Sequence, residues 1–388
     1  MSYARCVVLV SPVSSKETGI PIAFLLSLIH TRFNSAIMLQ NIRTSILGAI
    51  VLTLVAAGCK NNSTSPTVVA PSQGFLVTPL AANKASSGAV NTDTNLQDAW
   101  GLAFNVTYGF PWVADRASGL TTIYDTTGAL KNHYYINGPG GVKGSPTGVV
   151  QNTVANSFFV PGAGTNATWI FSQLNGTIAA IAGGAVDSSF ILADRSTSSS
   201  FTGLALVTMP TGATVLYAPN VKNASLDQFD QNYNRVQFSA GFQNGYTPFN
   251  VVQIDTQLFV TEAKSSGTFP YFAVGAGNGG SVDLFSLGGT YEKTLVSGGS
   301  LDQPWGLAIA PASFGSYAGK LLVGNFGDGT IHVYDRTSGA MVGTLSDASG
   351  NPITIPGLWA LVVYNGTLYY TAGPNGGTDG ILGKITLR

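Results

Sequence analysis

Charge is scarce in this chain. Only 9% of its 388 residues are Asp, Glu, Lys or Arg, and 18 basic residues cancel 18 acidic ones. A neutral chain has no electrostatic grip on a polyanion, so nucleic acid is excluded as an expected partner. Cysteine is nearly missing, with Cys6 and Cys59 the only two. Both precede the part that reads as folded. That removes a disulfide framework, a Cys-based zinc site and haem attachment through Cys-x-x-Cys-His. Histidine is as rare: beyond residue 59 there are only His133 and His332. His332 falls mid-strand in Thr-Ile-His-Val-Tyr-Asp and His133 in an outer-strand His-Tyr-Tyr, so neither is expected to be catalytic. No Gly-x-Ser-x-Gly stands between a strand and a helix, which disfavours an esterase elbow. The Gly-rich runs Gly138–Gly141 and Gly275–Gly280 lack a Lys-Ser/Thr ending and a following helix, and read as loops rather than phosphate cradles.

What is plentiful is glycine, 48 residues or close to one in eight, against a usual ~7%. The apolar fraction of 45% is enough for a core, so global disorder is not expected. Little charge with much Gly, Ser, Thr and Asn favours a turn-rich all-β protein over a helical one.

The N-terminus reads as a targeting device. Met38-Leu-Gln-Asn-Ile-Arg43 leads into the apolar run Ile46–Ala57, which ends in Ala56-Ala57-Gly58-Cys59. A basic start, an apolar middle and small residues at the end make a secretory signal. The run is about a dozen residues, short of the ~20 that span a bilayer. Cys after Ala-Ala-Gly resembles a bacterial lipobox, which makes Cys59 the expected lipidation site. The signal is complete from Met38, so residues 1–37 are expected to be an over-extended gene start. Residues 38–58 are then the signal peptide. Residues 59–73 are polar and Pro-containing and read as a flexible tether.

The rest repeats. Ala99-Trp100-Gly101-Leu102-Ala103-Phe104 returns as Pro304-Trp305-Gly306-Leu307-Ala308-Ile309, each followed by an apolar strand and a third strand opened by a small residue. That small residue is found six times, at Gly119, Gly176, Ala224, Gly280, Gly329 and Gly380, with gaps of 57, 48, 56, 49 and 51 residues. A first-strand mark recurs six times too, at Trp100-Gly101, Thr147-Gly148, Thr202-Gly203, Phe249-Asn250, Trp305-Gly306 and Trp359-Ala360. Two registers with one period of about fifty predict an all-β fold, a six-bladed β-propeller with four-stranded antiparallel blades over residues 74–388. A single blade has two apolar faces and buries them only against neighbours. Gly74–Leu80 is expected to supply the outer strand of the last blade and so close the ring. Lys264–Gly279, with Phe269, Tyr271 and Phe272, and the shorter Gly373–Asp379 are insertions, where function tends to sit.

Asp302–Ala308 (Asp-Gln-Pro-Trp-Gly-Leu-Ala), Leu321–Ile331 (Leu-Leu-Val-Gly-Asn-Phe-Gly-Asp-Gly-Thr-Ile) and Leu368–Pro374 (Leu-Tyr-Tyr-Thr-Ala-Gly-Pro) resemble a family of uncharacterised secreted bacterial proteins. That family is similar to NHL-repeat and SMP-30/gluconolactonase-like six-bladed propellers. The resemblance covers residues 74–388 and implies a fold without an assigned activity. NHL-type propellers mostly bind partners; SMP-30-like ones are metal-dependent lactonases.

Two sets of residues are candidate sites. Asp115, Gln173, Asn220, Glu262 and Asn325 end the second strand in five repeats, with Ala372 in the sixth. A ring of oxygen-bearing side chains at one level suits a channel-mouth ligand or Ca²⁺, with Glu262, Asn220 and Asn325 the metal candidates. The competing reading is that they cap the turns into strand three. Trp100, Phe249, Trp305 and Trp359 open first strands, where the resemblance to lactonases implies Asn or Asp metal ligands; they are read as blade packing or as an aromatic binding face. Asp125, Asp230 and Asp335 end strand three and are expected to start the next turn. The function expected is a lipid-anchored binding or scaffolding module for a protein, peptide or glycan at the bacterial cell envelope, facing the periplasm or the exterior. An SMP-30-like hydrolase with a divalent ion in the channel and a purely structural envelope protein are the alternatives. Tryptic mass spectrometry of the natively expressed protein is expected to recover no peptide from Ser2 to Ser35; finding one overturns the late start at Met38.

Overall fold

The computed structural model describes residues 74–184, 187–238 and 241–388; the expected signal, lipidation site Cys59 and tether lie outside the described residues. The chain forms six sheets of at least four strands each, in a six-bladed β-propeller. The inner strands are Ala99–Phe104, Pro146–Gln151, Ala205–Thr208, Tyr246–Ile254, Pro304–Ile309 and Leu358–Tyr364. Each pairs antiparallel with a second strand, the second with a third and the third with a fourth, except that in blade six the fourth is borrowed. Phe75–Ala82 runs antiparallel along the C-terminal Ile381–Leu387, pairing Phe75 with Leu387 and Ala82 with Ile381. The expected closing strand is therefore present, beginning one residue later and ending two residues later than Gly74–Leu80. It joins the two ends of the propeller sequence in one sheet and removes the edge that an unclosed ring exposes.

The repeat marks fall where the blades need them. Five first-strand marks lie in inner strands, and Thr202-Gly203 lies just ahead of Ala205–Thr208. All six third strands begin directly after the small residue or within two residues of it. Gly119, Gly176 and Gly329 hold φ of 69, 83 and 75°, the left-handed backbone that glycine adopts without a Cβ penalty. Ala224 holds the same turn at φ 48° with a side chain.

Blades pack face to face through apolar layers. Between blades one and two, Trp112 and Trp169 stack with ring centroids 4.1 Å apart, over buried Ile123, Phe171 and Ile181. Where an inner strand meets the backbone of the next blade there is no room for a Cβ at the glycines. A Cβ on Gly148 would stand 2.6 Å from the Leu204 backbone nitrogen of the next blade, and one on Gly306 2.6 Å from the Trp359 carbonyl oxygen. Hydrogen bonds run around the same level. Thr147 Oγ1 donates to the Phe201 carbonyl (2.8 Å), Thr202 Oγ1 to that of Phe249 (2.7 Å) and Asn250 Nδ2 to that of Trp305 (2.8 Å). Thr371 Oγ1 donates to the Trp100 carbonyl at 2.5 Å, linking blade six to blade one.

Two substitutions check this account by denaturant unfolding. Gly148→Ala forces backbone apart and is expected to cost ~1–3 kcal/mol, as overpacking does. Ala224→Gly relieves a left-handed alanine and is expected to gain up to ~1 kcal/mol, the left-handed penalty less the entropy glycine loses. Equal stability of Gly148→Ala and the parent protein contradicts the crowded axis.

Candidate functional site

The five polar residues that end second strands are all fully buried. They stand one strand out from the axis, and four of them hold the loop by which the chain enters their own blade. Gln173 Oε1 accepts from the Ser145 N–H (2.8 Å) and Gln173 Nε2 donates to the Asn137 carbonyl (2.8 Å). Asn220 Oδ1 accepts from the Ser200 N–H (3.1 Å), and Glu262 accepts from the Gln243 N–H at 3.2 Å. Asn325 Nδ2 donates to the Ser300 carbonyl (2.9 Å). Asp115 departs from this pattern and accepts from Thr122 Oγ1 on strand three (2.8 Å). Among the described residues no three Asp, Glu, His or Cys side chains gather closely enough to hold a metal ion.

Glu262 has a buried carboxyl, Asp283, as its neighbour on strand three. Burial, and then the Asp283 carboxyl beside it, push the Glu262 carboxyl well above its ordinary 4.5. Burial does the same to Asp115, whose usual value is 3.8. His332 uses both ring nitrogens, each 2.9 Å from a hydroxyl, Thr330 Oγ1 and Thr344 Oγ1. Burial lowers its pKa, and its place is within blade five. His133 lies on Leu130–Tyr135, the outer strand of blade one. Asp125, Asp230 and Asp335 accept backbone N–H groups two to four residues on, which makes them the turn starters expected.

The four first-strand aromatics meet at the axis. Trp100 and Trp359 stack with centroids 3.6 Å apart, and Phe326 stacks on Trp359 at 4.0 Å. Trp305 meets Trp359 edge to face at 5.9 Å, and Phe249 lies 5.8 Å from Trp359. Phe272 drops in from the blade-four insertion, 4.8 Å from Phe249 and 5.9 Å from Trp100. The result is a buried aromatic plug. Beyond it the inner strands line an apolar channel of about 620 Å³, ringed at one level by Leu102, Val149, Leu204, Val251, Leu307 and Leu361. A lactonase-type ion does not fit at the plug, because the positions that would supply its oxygen ligands carry carbon rings.

On the loop side of the plug lies a cavity of about 450 Å³. Trp100, Trp359, Phe272 and Phe326 contribute to it, and its walls are Phe269–Gly275 and Gly373–Gly377, the two insertions. It also contains a charged pair that sequence reasoning missed. Asp98 is 2% exposed and accepts from Trp100 Nε1 (2.8 Å), Trp359 Nε1 (3.3 Å) and Arg116 Nε. Burial raises its pKa, partly offset by the Arg116 charge and by these donors. Gly373 and Gly377 wrap the pair so closely that a Cβ on either would stand 2.0 or 2.8 Å from the Asp98 carboxyl group. The available signal was Asp98 two residues before Trp100, and Arg116 directly after Asp115; neither pattern repeats.

A carboxyl raised in the folded state favours folding below its unfolded value and loses that contribution as pH rises toward its folded value. Stability is therefore expected to fall as pH climbs above about 4.5, through the window over which Glu262 ionises. Glu262→Gln is expected to flatten that fall in a melting series from pH 4 to 9 and to melt higher than the parent at the alkaline end. An unchanged slope in the variant means that Glu262 does not carry it.

No family model matches the chain. It is 29% identical over 338 residues to an uncharacterised protein of Acanthamoeba polyphaga mimivirus, covering 79% of this chain and 78% of that one. A second uncharacterised mimivirus protein is 32% identical over 181 residues, 44% of this chain and 48% of its own. These relatives are viral, and the bacterial membership expected from the resemblance finds no support in them. Among solved structures, virginiamycin B lyase from Staphylococcus aureus aligns with a TM-score of 0.50 at 11% identity, covering 81% of this chain and 100% of that one. A luciferin-regenerating enzyme aligns at 0.51 and 10% identity, covering 81% and 95%. A protein of unknown function from Bacteroides thetaiotaomicron aligns at 0.50 and 13% identity, covering 81% and 76%. At these identities the likeness shows the fold alone, a six-bladed propeller.

Proposed function

We propose that the chain is a binding module whose ligand occupies the cavity over the aromatic plug. One observation carries this reading: the two segments that break the repeat wall the same cavity, Phe269–Gly275 from blade four and Gly373–Gly377 from blade six. Its volume of about 450 Å³ lies within the range of small-ligand sites, ~300–1,000 Å³. It therefore takes a small molecule, the end of a peptide or a sugar unit of a glycan. A closed ring holds both walls in place before binding, so little ordering entropy is lost on association. The secretory grammar of residues 38–58 and the lipobox-like Cys59 extend the proposal to a location. A lipid anchor and the 59–73 tether would hold the module at a cell envelope, facing the periplasm or the exterior.

The hydrolase alternative draws less support. The lyase and the luciferin-regenerating enzyme share 11% and 10% of their residues with this chain. Nor do Trp100, Phe249, Trp305 and Trp359 offer a channel ion any oxygen ligand. The test is affinity-selection mass spectrometry with a library of metabolites, short peptides and oligosaccharides. Val274, 68% exposed and lining the cavity, is the place to block it, as Val274→Trp. A compound retained by the parent protein and lost in Val274→Trp supports the reading. Retention of nothing, or equal retention by both proteins, removes it and leaves the purely structural role.

A further inference from the structure

The cavity over the plug combines an apolar enclosure with one charged group whose hydrogen-bonding capacity is only partly spent. Asp98 is not that group. Its carboxylate already receives Trp100 Nε1, Trp359 Nε1 and Arg116 Nε, and the wrapping glycines leave it 2% exposed. Arg116 differs. Only its Nε is engaged by a side chain among the described residues, while its side chain is 28% exposed and lines the cavity. A guanidinium has five N–H donors in a fixed fork. With Nε turned back onto Asp98, neither terminal nitrogen is paired with a side chain among the described residues, and Nη2 lies close to Gly377 of the cavity wall.

The anchoring matters as much as the donors. Arg116 is fixed at both ends: its backbone N–H donates to the Asp98 carbonyl (3.0 Å) and its Nε to the same residue's carboxylate. Asp98 in turn is fixed by two indoles that belong to the plug. The long side chain thus loses its freedom in the folded protein, before any ligand arrives. The rest of the cavity offers Phe269, Pro270, Phe272, Val274, Pro356 and Pro374 as apolar surface.

A cationic ligand is disfavoured by the same geometry. A cation needs open aromatic faces or a free carboxylate. Trp359 is sandwiched between Trp100 and Phe326, Asp98 is already paired, and the exposed Phe269 ring shares the cavity with the Arg116 charge, which repels a cation.

We propose that this cavity recognises a carboxylate on an aromatic or otherwise apolar body, with the Arg116 guanidinium gripping the carboxylate and the insertion side chains enclosing the body. The proposal rests on the reading that this cavity is the binding site, and it names the ligand class for it. The probe is naphthalene-2-carboxylate, compared with its uncharged isostere naphthalene-2-carboxamide, by titration calorimetry at pH 7. Hydrogen bonds between charged partners are worth ~1.5–3 kcal/mol, so the carboxylate is expected to bind at least ~10-fold tighter than the amide. Arg116→Met is expected to bring the carboxylate down to the affinity of the amide and leave the amide unchanged. Arg116→Lys, which keeps the charge and loses the fork, is expected to fall between. An amide that binds the parent protein as tightly as the carboxylate overturns the ligand class and leaves the binding site standing. Failure of both probes to bind at millimolar concentration counts against the site as well as the class. The parent protein's discrimination between the two probes decides the matter even if Arg116→Met does not fold.

Discussion

The structure depends on how closely six inner strands can approach one axis. A blade buries its faces only against neighbours, and its inner strand meets the next blade where the ring is narrowest. There the backbone itself makes the contact. A Cβ on Gly101, Gly148 or Gly203 would stand 2.3–2.6 Å from an atom of the following blade. Such a contact leaves polar backbone groups with no water to turn to, and an unpaired buried carbonyl costs stability. The side chains of Thr147, Thr202, Asn250 and Thr371 answer that need by donating to carbonyls across the blade boundaries. Steric fit and hydrogen-bond supply are thus met at one level of the fold, in blades two and three by adjacent residues, Thr147-Gly148 and Thr202-Gly203.

That coincidence explains why so much of the fold was legible. A requirement that recurs once per blade writes itself into the sequence once per blade. Gly after Trp or Thr in four blades, with Phe249-Asn250 and Trp359-Ala360 in the other two, marked the inner strands, and the small residue before strand three marked the turns, Ala224 included. The closing strand was legible because Phe75–Ala82 has the apolar pattern of a blade strand and no blade of its own. The site was legible only in part. Trp100, Phe249, Trp305 and Trp359 do meet, and both insertions do wall one cavity, since these follow from register and from breaks in it. Asp98 and Arg116 arise once each. The left-handed backbone at Asp98, φ 51°, recurs at Gln303, two residues before Trp305, but there it carries an amide, so the carboxyl is not periodic. Asp115, Gln173, Asn220, Glu262 and Asn325 were picked out by the repeat, but their surroundings depend on how each entering loop folds back. Periodicity carries no information about that.

Burial gives the two polar levels different characters. At the ends of the second strands, amide side chains predominate and neutral hydrogen bonds suffice to tie the entering loops. Blade four places two carboxyls together instead, Glu262 and Asp283, and burial then favours the protonated Glu262. At the axis the burial that raises the Asp98 pKa is partly offset by opposite means, a guanidinium and two indole N–H donors. A buried ion pair with this many partners contributes position more than net stability, because desolvation consumes much of the attraction.

The propeller and the cavity are connected by the plug. Trp100 and Trp359 belong to the first and last blades, so their stacking at 3.6 Å crosses the seam where the ring closes. The same two indoles hold Asp98, Asp98 holds Arg116, and glycines of the blade-six insertion close over both. Closure of the ring therefore sets the geometry of the cavity floor. Phe272 reaches the plug from the other insertion and ties that wall to the same cluster. A loop anchored by a buried ring has fewer conformations to lose than a free one of equal length. The seam that completes the fold is thus the element that pre-organises the site, and a disturbance of ring closure would be felt at Arg116 through only two intervening contacts.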